Sequence, residues 1–223
     1  MMEDEHKLTE HVKGMYPGLP YFMFGHSMGS FIARDYISKY GDELAGVTLC
    51  GTCGAFASVS DTLAAIRAAV DAGKGDEADP AFTNLLFGFM FSRIEEPVKL
   101  GNEWICHSPW VQNDHAADPF DAFTKPTNNR SMMYFCEMMT CIEGTEWAKK
   151  VPTALPIYNI GGDQDPVGNW GEGMYQTSNW LAETGHKVTT KLYSGYRHEI
   201  HNYDEIKWAV EEGIIDFFLG CLE

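Results

Sequence analysis

Positive charge is scarce in this 223-residue sequence: 16 Lys and Arg stand against 32 Asp and Glu, a formal net charge of −16. A surface that neutralises phosphates needs the opposite balance, so nucleic acid is excluded as an expected partner. Long apolar runs are missing too. The longest, Leu85 to Phe91, falls far short of the roughly 20 residues a membrane-spanning helix requires, and no stable membrane insertion is expected. The N-terminus, Met1-Met2-Glu3-Asp4-Glu5, is acidic where a secretion leader would be basic and then apolar. The six cysteines follow no regular framework, and without a leader they read as reduced thiols of a cytoplasmic protein. Repeats and low-complexity stretches are absent. Core material is plentiful: 44% of residues are hydrophobic and 13% aromatic, the composition of a packed globular chain rather than a disordered one.

Apolar spacing then alternates between two periods. Leu8, Val12 and Met15 recur at helical intervals and stop at Pro17-Gly18, after which Leu19 to Phe24 reads as a short buried strand. Phe31, Ile32, Tyr36, Ile37 and Tyr40 form a second helical stripe ended by Gly41, and Ala45 to Leu49 a second strand. From Gly51 to about Pro152 the pattern is mostly helical. The earlier rhythm resumes with strands at Leu155 to Ile160 and Val188 to Tyr193, and helices at Gly173 to Glu183 and Tyr203 to Leu219. This predicts an α/β fold, a mostly parallel sheet interrupted by a helical insertion: residues 1–54 and 152–223 form the core and 55–151 a cap.

Gly25-His26-Ser27-Met28-Gly29 matches G-x-S-x-G and lies between a predicted strand and an amphipathic helix. There the glycines let the chain turn sharply and present Ser27 above the sheet as a nucleophile, while the Met28 backbone N–H points at a developing oxyanion. A serine hydroxyl needs a histidine to take its proton, and that histidine needs a carboxylate to hold its tautomer. Two acids, Asp163 and Asp165, follow the third predicted strand. Asp165 is favoured as the acid over Asp163, which competes for that role and otherwise reads as a turn-capping residue. His198 follows the fourth strand, and His201 beside it reads as a first-turn or surface histidine of the last helix. The order Ser27, Asp165, His198 is that of a nucleophile-elbow hydrolase.

Tyr16 to Pro20, Phe24 to Ser30, Gly162 to Gly168 and Arg197-His198-Glu199 together resemble the monoacylglycerol lipase and serine-aminopeptidase-like, or lysophospholipase-like, branch of the α/β-hydrolases, over essentially the whole chain. The resemblance implies a serine esterase acting through an acyl-enzyme on small carboxylic esters, with no cofactor and no metal. Members of that branch carry further strands and an oxyanion His-Gly loop ahead of the elbow, to which nothing here corresponds. An N-terminally truncated α/β-hydrolase fold is therefore expected. It would have one oxyanion amide fewer, a loss of about 10²–10³ in rate. Tyr21 to Phe24 would become a bare edge that a homodimer or larger homo-oligomer covers. A weak or inert scaffold that binds apolar ligands is the competing expectation.

Other features have plain readings. Cys50-Gly51-Thr52-Cys53 lacks the second pair that zinc requires and reads as core or near-site thiols. The Met-rich stretch from Ser131 to Ile142 reads equally as an adaptable acyl-binding wall or as cap core. Leu85 to Phe91 reads as a buried segment.

Overall fold

The computed structural model describes residues 1–120 and 127–223, so part of the expected insertion, 121–126, lies outside the described residues. Helix α1 (Met2–Met15) leads to strand β1 (Phe22–His26), then α2 (Met28–Tyr40) and β2 (Gly46–Cys50). Next comes a helical stretch: α3 (Val59–Ala69), α4 (Pro80–Phe87), α5 (Pro109–Ala117), α6 (Asn129–Cys141) and α7 (Gly144–Ala148). The chain then returns to the sheet as β3 (Ile157–Gly162), α8 (Glu172–Glu183), β4 (Val188–Tyr193) and α9 (Lys207–Gly220). The four strands are parallel and lie in sequence order. This is the α/β-hydrolase arrangement, with the helical stretch inserted between β2 and β3.

The strands begin one to three residues later than their apolar runs, except β4, and two prolines explain the first and third. Pro20 and Pro156 have no N–H to give a ladder, so β1 and β3 start beyond them. The Pro156 carbonyl still accepts from Val47 N–H at 3.1 Å. Central β2 and β3 are buried at every position, as parallel strands covered on both faces require. Two helix starts in the insertion are capped by side chains. Asp79 accepts from Ala81 N–H ahead of Pro80 at the head of α4, and Asn128 accepts from Ser131 N–H at the head of α6.

One continuous hydrophobic core joins sheet and insertion. It runs from Val47, Leu49 and Ile157 through Ile37 and Tyr36 of α2 to Ile66, Leu86, Cys136 and Ile142. The Leu85–Phe91 run is largely part of it, with Leu86 and Met90 buried and Phe87, Phe89 and Phe91 packed alongside, while Leu85 is exposed. A smaller cluster of Cys50, Tyr158, Ile160, Tyr193, Ile200 and Val210 lies under α9 on the sheet. All six cysteines are free. Among the described residues no helix is long and apolar enough to cross a membrane.

A buried arginine ties the two parts together. Arg34 of α2 is fully enclosed, donates to the carbonyls of Cys53 (2.7 Å) and Ile142, and lies 4.6 Å over the Trp147 ring. Trp147 Nε1–H in turn donates to the Arg34 carbonyl at 2.9 Å. The guanidinium therefore binds the elbow helix to the start of the insertion and to its end.

Candidate active site

The C-terminal ends of parallel strands are where an open α/β sheet binds ligands. Ser27 stands there alone between β1 and α2, at φ 55° and ψ −125°. A non-glycine residue in that region carries about 1–3 kcal/mol of strain and persists only where its surroundings enforce it. Here they do. Ser27 N–H donates to the Cys50 carbonyl at 3.0 Å, and the Ser27 carbonyl accepts from the Ser30 hydroxyl at 2.6 Å and Ser30 N–H at 2.8 Å. Gly25 makes the turn possible, because a Cβ there would lie 2.4 Å from the Gly29 carbonyl oxygen. Gly29 itself would accommodate a side chain, so the crowding expected of both glycines falls on the first. Met28 opens α2, and its amide is one of the first-turn donors that no helix carbonyl reaches.

The loops after β3 and β4 bring the other two residues together. His198 Nδ1–H donates to Asp165 Oδ2 at 2.9 Å, and both side chains are buried. Asp165 Oδ1 accepts from Val167 N–H at 2.8 Å, which fixes the carboxylate plane. Asp163 does something else: its oxygens accept from Gly195 N–H and the Ser194 hydroxyl, each at 2.7 Å, binding the two loops to each other. With Nδ1 donating, His198 Nε2 is the basic nitrogen, and it is buried with no hydrogen-bond partner. No hydrogen bond joins it to Ser27 Oγ among the described residues.

Two neighbours of the pair, Gly51 and Trp104, escaped the sequence reading. Gly51, at φ 60° just past β2, leaves room for the pair, since a Cβ there would sit 2.9 Å from His198 Cε1 and 3.4 Å from Asp165 Oδ2. Its position right after a strand was the available signal. Trp104, from the insertion, packs at 5.0 Å from the His198 ring. His26 packs at 4.6 Å and its Nε2 lies 3.3 Å from the His198 carbonyl, while the His201 ring meets His26 edge-on at 4.5 Å. Burial first, then the neighbouring imidazoles, push His26 down to about 2, so its ring is neutral and its Nε2–H donates to that carbonyl. His201, expected in the first turn of the last helix or at the surface, lies in a 3₁₀ turn ahead of α9 and is half-buried in this contact. A cleft of about 460 Å³ beside the acid loop is lined by Arg93, Glu96, His107, Gln164, Trp170 and Arg197 among others, but not by Ser27 or His198.

The sequence pattern of the family described as serine aminopeptidase, S33, matches residues 1–205. The chain belongs to this family. It is also 54% identical to a carboxyl esterase from Bacillus coagulans solved with glycerol, at a TM-score of 0.97, over 100% of this chain and 72% of that one. A lipase in an open form is 28% identical with a TM-score of 0.87, over 99% of this chain and 71% of its own. The monoacylglycerol lipase of Paleococcus ferrophilus is similar in fold alone, at 17% identity and a TM-score of 0.67, over 99% of this chain and 74% of its own. No curated protein matches the sequence. The protein is thus a hydrolase with the α/β-hydrolase fold, in the family described as serine aminopeptidase, S33.

Proposed function

We propose that this hydrolase is a serine esterase that cleaves short- to medium-chain carboxylic esters, monoacylglycerols among them, through a Ser27–His198–Asp165 triad. The observation that carries the reading is the buried 2.9 Å His198–Asp165 bond on the loops that flank a strained Ser27. In the reaction Ser27 Oγ attacks the ester carbonyl as His198 Nε2 takes its proton. The Met28 N–H stabilises the oxyanion, and the imidazolium passes the proton to the departing alcohol. Water then repeats the sequence on the acyl-enzyme and frees the acid. Asp165 keeps Nδ1 protonated and stabilises the imidazolium without itself taking the proton. The similarity to a carboxyl esterase and a lipase supports ester over amide substrates. In this reading residues 55–151 cap a core of 1–54 and 152–223, the Met-rich face of α6 borders the acyl chain, and the protein works in the cytoplasm as a homodimer.

A second reading, an inert scaffold that binds apolar ligands, draws on the missing Ser27–His198 hydrogen bond. Catalytic bonds often tighten only when substrate is bound, which favours the first. Hydrolysis of p-nitrophenyl butyrate by the wild type and Ser27→Ala decides. Activity that falls by about 10⁴-fold or more in the variant supports the triad. Equal inactivity, with no fluorophosphonate labelling of folded wild type, supports the scaffold.

A further inference from the structure

His26 and Cys50 are register partners on the adjacent parallel strands β1 and β2, so their side chains leave the same face of the sheet. That face is the one under α9, where Cys50 packs with Ile200. His201, one residue beyond Ile200 in a single 3₁₀ turn, reaches the same place. The result is three ligand-type side chains whose donor atoms all lie within 4.8 Å of one another. Two further observations bear on what they could hold. His201 Nδ1 is buried and has no hydrogen-bond partner. Cys53, the other half of the C-x-x-C, takes no part, because its sulfur and carbonyl both accept from Arg34.

We propose that His26, Cys50 and His201 form a transition-metal site of the zinc type behind the His198 loop. Two imidazoles and one thiol suit borderline-soft divalent ions such as Zn²⁺ and Co²⁺, and they mismatch Ca²⁺ or Mg²⁺, which take oxygen ligands. Tetrahedral zinc holds its nitrogen and sulfur ligands at about 2.0–2.3 Å from the metal, so donor atoms at most 4.8 Å apart need to close by about 1 Å. The small shifts required fall on the two half-buried imidazole rings, His26 and His201. On binding, the Cys50 thiol releases its proton to solvent and joins the metal as thiolate. The imidazoles join as neutral bases, and water fills the fourth position. Each ion bound therefore liberates one proton, and nothing is oxidised or reduced.

Occupancy reaches the triad through His26. Its ring touches His198 and its Nε2 lies 3.3 Å from the His198 carbonyl, so drawing His26 toward Cys50 disturbs the base. Metal binding should therefore slow ester hydrolysis, a consequence that rests on the proposed function, whereas the site itself does not.

Cobalt titration of the chelator-stripped chain tests the site without using activity. The expected result is one Co²⁺ per chain, with thiolate-to-cobalt absorption in the near ultraviolet, unchanged in Ser27→Ala and Cys141→Ser. The band should vanish in Cys50→Ser and Cys50→Ala. In His201→Ala binding should weaken by at least about tenfold, the least that loss even of a group supporting a ligand typically costs. No stoichiometric binding, or a full band in a Cys50 or His201 variant that keeps native circular dichroism, overturns the proposal. Zinc should also lower wild-type p-nitrophenyl butyrate turnover, reversibly with chelator, and leave His201→Ala turnover unaffected. If cobalt binds as described while no chain hydrolyses the ester, the metal site stands and the esterase reading fails.

Discussion

At the scale of single residues the site turns on two carboxylates two positions apart. Asp165 is buried on His198, whereas Asp163 bridges Ser194 and Gly195. Asp165→Asn should cut kcat for p-nitrophenyl butyrate by about 10⁴-fold, because the amide favours the wrong tautomer, the size of loss measured in another serine hydrolase. Asp163→Asn should keep kcat within about tenfold and cost about 1 kcal/mol of stability, the net worth of an ordinary hydrogen bond. Equal kinetic losses would mean that the acid has been misassigned. The candidate residues Ser27, Asp165 and His198 could be picked out in the sequence because each sits in a local pattern at a strand end. Trp104 could not, since only the folded chain brings it to His198, and the one signal for Gly51 was its place right after a strand. The thiols give a separate test. Burial pushes Cys136 up to about 11 and Cys53 up to about 12, the latter against the pull of Arg34. The unfolded thiols release protons near pH 9 while the folded ones keep theirs, so this contribution is whole below pH 9 and is lost toward pH 11 and 12. Urea unfolding in reductant should show stability falling from pH 9 upward, with a shallower fall in Cys136→Ala. A pH-independent midpoint over that interval would contradict it.

At the scale of elements, the sheet and its order were readable from alternating periods, and boundaries shifted where proline withholds a donor, as at Pro20 and Pro156. What stayed hidden was how the insertion is attached. An arginine among the apolar residues of α2 gave no sign that it would be enclosed. Its partners, the carbonyls of Cys53 and Ile142, lie 19 and 108 residues away along the chain. Arg34 carries the join between the elbow helix and the insertion. Arg34→Ala strands buried carbonyls and opens space over Trp147, and should destabilise the protein by about 3–5 kcal/mol in urea unfolding. Arg34→Lys should recover less than half of that, since a single ammonium cannot reproduce the guanidinium fork. Amide exchange should quicken most at α7 and the C-terminal end of α6. If Arg34→Ala unfolds like wild type, the join lies elsewhere in the shared core.

For the whole molecule, β1 ends the described sheet and pairs with β2 alone. Phe24 is 45% exposed on it. Nearby, α9 lays Phe218 against Phe22 of the same strand, and carries an exposed stripe of Trp208, Ile215 and Leu219 at helical spacing, with exposed Leu222 just past its end. Unpaired strand amides beside apolar surface favour pairing with another chain, and antiparallel pairing of β1 with β1 about a two-fold axis would satisfy both copies at once. The charge of −16 on each copy works against that. Its repulsion is screened at about 10 Å in 0.1 M salt and about 3 Å in 1 M, so association should strengthen as salt rises, the reverse of an interface held by ion pairs. Sedimentation equilibrium at micromolar concentration should therefore give twice the chain mass, with a Kd that falls between 0.05 and 0.5 M salt. Phe24→Lys places a charge on the edge in the way natural sheets protect theirs, and should leave a folded monomer. A wild type that stays monomeric at tens of micromolar in high salt would show that the edge and the α9 stripe do not bind a second copy of this chain.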